Sequence, residues 1–313
     1  MSKLSLPVAV LLACLMSSPA AAAPGAGAIS LQFNTSARAA GMGETGVATV
    51  WGGDANVWAN PAMLACRPGL RYGTMHSDLA TGLAEGITID KKELTFGLPG
   101  VGLLFADGPI DHVYLDMGTQ QGVDEGGNPT GTFSSHMKSQ AWGVGVSAAE
   151  ALRRLKVADI GGWFDVAGGM VWKDYEDMLA ADNIIQDLPG GRGEASARDL
   201  GWVARVTPVN TLGRGANAAD AALGFLVEAS YGRAKLNDTD EMIVRIDFIN
   251  DDVDPMPTMH LSGWALHGEL QAGPRLLEDA PAWLREGIAP LLAFTYTQQK
   301  NVPGYRWTGT EYE

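Results

Sequence analysis

The segment Gly41-Met42-Gly43-Glu44-Thr45-Gly46 has the G-x-G-x-x-G spacing with which a glycine-rich turn cradles a dinucleotide pyrophosphate. That chemistry needs a buried strand before the turn and a helix after it. Residues 33–40 do not form a convincing strand, residues 47–51 are rich in β-branched side chains, and Glu44 would place a negative charge in the cradle. No nucleotide cofactor is expected. The five histidines, His76, His112, His136, His260 and His267, lack the H-x-x-x-H or Cys/His spacing of a metal site and read as interior or rim residues. The acidic stretch from Asp238 to Asp254 lacks the ordered ligand spacing and the glycine of an EF-hand loop, so plain solvation is the simpler account. There is no G-x-S-x-G elbow. Nothing here supports catalysis, and neither a metal nor another cofactor is expected.

The elements that would position such groups are strands. Forty Gly, nine Trp and only 19% charged residues in 313 positions fit many short strands and turns better than α/β layers. The mean hydropathy is +0.00, the average expected where apolar and polar faces alternate. A formal net charge of -14 argues against a nucleic-acid partner, which would require clustered Lys and Arg.

Residues 1–23 carry the parts of a secretory signal: Lys3, an apolar run from Leu4 to Met16, and an alanine tract offering cleavage near Ala22 or Ala23. Leu11-Leu12-Ala13-Cys14 faintly resembles a lipoprotein site, but the apolar run continues past the cysteine. After the signal only Cys66 remains, so no internal disulfide is expected. No run of about 18 apolar residues follows, so no transmembrane helix is expected either.

From about Leu70 onward the period is two. In Ser139–Ala148 the even positions are bulky and the odd ones small. In Ala158–Trp172 the even face carries Ile160, Phe164 and Trp172, opposite Asp159, Asp165 and Lys173. The same rule holds for Asp199–Thr207, Ala221–Arg233, Trp264–Ala272 and Leu292–Thr297. Weaker candidates are Leu70–His76, Ala84–Asp90, Glu93–Leu98, Val101–Ala106 and Ile110–Met117, which brings the count near eleven. Acidic, glycine- or proline-containing loops are expected at Gly122–Gly131, Asp174–Arg198 and Lys235–Pro257, elaborating one rim that reads as extracellular. Trp172, Tyr231 and Trp264 suit an interfacial aromatic girdle.

A soluble β-sandwich or a dry-cored barrel explains alternation equally well. The face opposite the apolar one, however, mixes charges with small residues, as a wet or filled lumen would. The fold class expected is therefore all-β, a transmembrane antiparallel β-barrel with an N-terminal plug, or hatch, inside the lumen.

That plug is residues 24–68. Gly41, Gly43 and Gly46 let backbone pack closely against surrounding walls. Asp54 suits a helix N-cap, and Pro61 pushes Asn60 out of the helical region. Trp58, Asn60, Pro61, Ala62, Met63 and Leu64 are the candidate plug and gate residues.

Ala37-Arg38-Ala39-Ala40-Gly41-Met42-Gly43, followed by Gly46-Val47-Ala48 and by Trp58-Ala59-Asn60-Pro61-Ala62, resembles the N-terminal region of the FadL-type outer-membrane transporters, closest to the PorV-like branch. The resemblance covers about thirty residues. It implies a hatch folded inside a fourteen-stranded barrel of the bacterial outer membrane, in contact with its lipid. It also implies a channel for hydrophobic small molecules such as long-chain fatty acids or hydrocarbons, which leave by a lateral opening toward the membrane. The PorV-like branch instead implies a docking role with secretion-system proteins. Residues 69–313 would form the strands and loops; because Arg306–Glu313 lacks a terminal aromatic residue, the expectation is either an incomplete C-terminal end or a barrel that closes differently.

Overall fold

The structure, a computed structural model, describes residues 45–51, 56–79, 86–108, 110–123, 126–160, 162–178, 192–210, 223–238, 242–245, 251–254, 258–272 and 290–303. The expected signal peptide, Gly41, Gly43 and Asp54 lie outside the described residues.

The chain is all-β, with every strand pairing antiparallel. The strands are β1 (Gly69–Asp78), β2 (Ile87–Leu98), β3 (Val101–Ala106), β4 (Val113–Val123), β5 (Pro129–Ser147), β6 (Phe164–Met178), β7 (Arg192–Asn210), β8 (Leu223–Asp238), β9 (Met242–Arg245), β10 (Asp251–Asp254), β11 (Met259–Ala272) and β12 (Pro290–Pro303). The main order is β1-β2-β3-β5-β6-β7-β8-β11-β12; β9 pairs with β7 and β10. Among the described residues, β1 and β12 each pair along one edge only.

Strand directions divide the connections between two ends. At one lie the Pro99-Gly100 turn and the connections β5–β6, β7–β8 and β11–β12. At the other lie β1–β2, β4–β5, β6–β7 and the long β8–β11 connection that contains β9 and β10.

Several boundaries differ from the sequence reading. The two weak candidates at 84–90 and 93–98 form one strand, β2, because Asp90 to Lys92 continue its ladder with β1. The strand expected from Ala158 begins only at Phe164. Before it, a helix α1 (Ala148–Arg154) starts on Ser147, whose hydroxyl accepts from the Glu150 amide, and Lys156 takes a positive φ of 58° that turns the chain. The expected loop at 174–198 includes the ends of β6 and β7, and the one at 235–257 includes β9 and β10.

Alternation sets the two faces of the sheet. Outward-pointing Trp142 and Phe294 are both 53% exposed, whereas Lys173 and Asp199, on inward positions, are 5% and 0% exposed. Leu70, Tyr72, Phe96, Phe105, Trp202, Phe225, Tyr231 and Trp264 join the outward apolar face. Lys91, Glu93, Ser139, Asp165 and Glu228 join the buried one. Water-soluble sheets bury the opposite set.

β3 and β4 occupy one line between β2 and β5, yet are interrupted. Ala106 pairs with Ala141 and Val113 with Ser139, so residues 107–112 stand opposite the single residue Gln140. The ladder is held across the bulge by Lys92 N to Asp111 O at 3.1 Å and His112 N to Ser139 O at 2.9 Å.

Candidate functional site

Residues 45–51 and 56–67 are a densely hydrogen-bonded part of the interior. Pro61 opens a short 3-10 helix, Pro61–Cys66, because its fixed φ suits a first helical position and its missing N–H costs nothing there. Asn60, extended at φ −159° and ψ 110°, is the cap. Its Oδ1 accepts from Ala62 N at 3.0 Å, while Nδ2 donates to Val47 O at 2.7 Å and to Trp202 O at 3.0 Å. One buried carboxamide thus ties both halves of the segment together and to β7.

The segment reaches β12 at one edge of the sheet order and β2, next to the other edge. Gln299 Oε1 of β12 accepts from Gly46 N and Val47 N at 2.9 Å. Trp58 Nε1 donates to Glu93 Oε2 of β2 at 2.7 Å. Because Asn60 holds Val47 beside the turn, the sheet must roll around the segment for both contacts to exist.

Its seat is a row of glycines. Gly97 pairs with Gly102, Gly102 with Gly145, Gly145 with Gly169 and Gly169 with Gly201, so five successive wall strands present glycine at one level. Between β7 and β8 the row steps by two residues, Gly201 facing Ala234 and Gly232 facing Val203; Gly232 then pairs with Gly263, which pairs with Gln299. A β-carbon at Gly97, Gly102, Gly169 or Gly232 would strike main-chain atoms of Arg67, Leu64, Pro61 or Val47 respectively. At Gly145 it would come within 2.8 Å of Ala65 N. The row therefore lets main chain pack on main chain, the close approach that only glycine allows.

Beside this seat lies a charged layer centred on Trp58. Its ring stacks on His112 with centroids 3.5 Å apart, with Lys91 and Lys173 at 5.2 and 5.8 Å. Glu93 sits 3.4 Å from both Arg67 and Lys91. Lys173 pairs with Asp199 at 2.7 Å and donates to Asn237 Oδ1 at 2.9 Å. On the other side of the glycine row, toward the Pro99-Gly100 end, a separate cluster places Arg205 3.9 Å from Asp165 and 3.7 Å from Glu228. Such charges stay buried because each is paired. Further toward the end that carries β9 and β10, Ile89, Val113, Leu115, Met137, Tyr175 and Ala197 form an inward-facing apolar cluster. The interior thus changes from apolar, through charged, to the seated segment.

All six candidate residues from Trp58 to Leu64 fall in this assembly, and all are buried. Trp58 and Asn60 carry its polar contacts, whereas Ala62, Met63 and Leu64, at 0%, 0% and 1% exposure, pack in its apolar core. Gly46 sits beside Gln299 as a main-chain donor. Sequence reasoning missed Gln299, the glycine row and the charged layer. Cys66 is a free thiol that burial pushes up to about 11. Of the histidines, His112 and His267 are interior, and His76 is an outward rim residue bonded to Asp90 at 2.8 Å. Among the described residues no group of His, Cys, Asp or Glu is arranged to hold a metal, and no helix is long and apolar enough to cross a membrane. The chain matches no protein-family model and no curated protein.

Proposed function

We propose that the protein is an outer-membrane β-barrel whose residues 24–68 plug the lumen, and that it passes hydrophobic small molecules such as long-chain fatty acids or hydrocarbons. One observation carries the membrane reading: the wall is apolar outside and charged inside, the polarity required of strands that face lipid on one side and a polar lumen on the other. The inward apolar cluster around Leu115 and Met137 favours an apolar ligand, which would arrive from the rim bearing β9 and β10. The interrupted third wall line at 107–112 supports a lateral exit, because His112 of that bulge stacks on Trp58 of the plug. Movement of Trp58 would disturb the bulge directly. The expected transport activity and outer-membrane location rest on this reading.

Fractionation and uptake test it together. The protein should remain with detergent-extracted outer membrane, and a deletion strain should take up labelled fatty acid or alkane more slowly than its parent. Equal uptake would overturn the channel reading.

The seat also favours a second reading, a docking barrel for secretion-system proteins. A segment whose main chain packs on glycines of five strands is a stiff closure, and a permanently closed barrel offers only its rim. Capture of a secretion component through residues 235–257, with uptake unchanged by deletion, would select this reading.

A further inference from the structure

The outward face of β7, β8, β11 and β12 is apolar until it nears the rim carrying β9 and β10, where it turns basic. Arg233 pairs with Ser262, and Ser262 with Lys300, in adjacent ladders, so the two cations stand roughly 10 Å apart across three strands. Lys235 and His260 face each other one step nearer the rim. These side chains line a groove of about 480 Å³ together with Trp202 and Leu200.

Lys235 is neutralised by Asp238 at 2.7 Å, but among the described residues Arg233 and Lys300 have no acidic partner. Elsewhere on the same rim two outward basic groups are paired, Lys138 with Glu176 at 2.8 Å and His76 with Asp90 at 2.8 Å. In a chain of net charge -14, two cations that converge on one groove with no acidic partner among the described residues are poorly explained as solubility charges. Trp202 pairs in register with Arg233, and Tyr231 and Trp264 pair one outward step below; all three are exposed aromatics, with Trp202 and Tyr231 centroids 5.6 Å apart. An anionic head joined to an apolar tail fits this order: phosphate between the cations, acyl chains along the rings.

We infer that the groove between Arg233 and Lys300 binds the phosphate of an outer-leaflet lipid, whose acyl chains lie on Trp202 and Trp264. The inference rests on the barrel reading, with this rim on the extracellular side.

The test uses the full chain purified in non-ionic detergent, with lipid binding read by native mass spectrometry. The probes are monophosphoryl lipid A, its dephosphorylated form and inorganic phosphate. The phosphorylated lipid should bind more tightly than the dephosphorylated one, and inorganic phosphate should not displace it. At about fivefold per cation near a membrane surface, the R233Q/K300Q double variant should lose roughly 30-fold, and K138Q should lose nothing. In the unmodified protein, added salt should weaken the phosphorylated lipid alone, a measurement independent of whether the variant folds. Equal binding of both lipids overturns the site and leaves the cations merely snorkelling, and displacement by inorganic phosphate overturns the lipid as its source. A protein that stays monodisperse without detergent overturns the barrel reading and the site together, whereas one that requires detergent but shows no phosphate preference overturns the site alone.

Discussion

Gly169 of β6 lies against the carbonyl oxygen of Pro61 so closely that a β-carbon on Gly169 would overlap it. Its neighbour Gly168 points outward, and a β-carbon there would find nothing nearer than Gly201 O at 3.9 Å. One methyl group, moved by one residue, should therefore have opposite consequences. Gly169→Ala should destabilise the fold by about 1–3 kcal/mol, the ordinary cost of overpacking. Gly168→Ala should be nearly neutral. Urea midpoints of the two variants in detergent check this, and equal midpoints would show that the segment is not seated on the wall.

Asn60→Ala should release the segment without overpacking anything. It removes the donor to Val47 O and Trp202 O and the cap on the 3-10 turn, and buried carbonyls left unsatisfied cost about 1–3 kcal/mol each. Cys66 reports the outcome. With its thiol pushed up to about 11 by burial, only about one molecule in a thousand is thiolate at pH 8. Maleimide should label the parent slowly and Asn60→Ala at least tenfold faster. Unchanged labelling would mean that Asn60 does not hold the seat.

The reasons why parts of this arrangement are legible in the sequence are local. Trp142 and Val144 alternating with Ala141 and Gly143 announce a strand, because a period of two brings like residues to one face. Asn60-Pro61 announces a turn start, since proline restricts its predecessor. Ser147 followed by Glu150 is likewise a local helix-start signal, hidden because the alternation before it continues through Ala148. The glycine row is different in kind. Gly102, Gly145, Gly169 and Gly201 each read as small filler on their own strand, and they become a seat only once register aligns them. Gln299 carries no local signal, for its role lies 252 residues away at Val47. The charged layer is illegible for the same reason: Lys173 and Asp199 become partners only through pairing of β6 with β7.

That ion pair gives the third prediction. Lys173 and Asp199 meet at 2.7 Å with both side chains almost wholly buried. Asp199→Ala should cost about 3–5 kcal/mol, because it strands a buried ammonium rather than merely removing an attraction. Replacing both residues, in K173M/D199L, should recover much of that loss. Unfolding midpoints of the single and double variants decide it, and additive losses would show the two residues to be independent.

The exposed helix α1 should give a pH signature. Glu150 accepts from Arg153 at 2.8 and 2.7 Å and from Arg154 at 3.0 Å, and these hydrogen bonds hold its carboxyl down at about 2, against an ordinary 4.5. A depressed carboxylate stabilises the folded form fully above its unfolded value and ceases to do so as pH falls through its folded value. The difference in melting temperature between the parent and Glu150→Gln should therefore be constant above about pH 5 and shrink toward zero between about 4.5 and 2. A difference that grew on acidification would contradict the assignment.

The outward face offers the sharpest choice between lipid and water as its neighbour. Phe105 is 49% exposed and pairs in register with Trp142, whose ring stacks on Trp172 at 3.9 Å. In water, Phe105→Arg would remove an exposed apolar group and leave stability unchanged or improve solubility. Against hydrocarbon, the same change places a charge in the bilayer and should cost about 2–4 kcal/mol if the residue lies near the midplane. The opposite strand face supplies the control. Leu104, fully buried inward, should lose stability on change to Ala in detergent and bilayer alike, because its cost is a cavity rather than a solvent effect. Folding into phosphatidylcholine bilayers, followed by urea titration, compares the two variants. A bilayer penalty for Phe105→Arg would mark this face as lipid-facing, whereas a neutral result in the bilayer would return the apolar wall to a soluble partner.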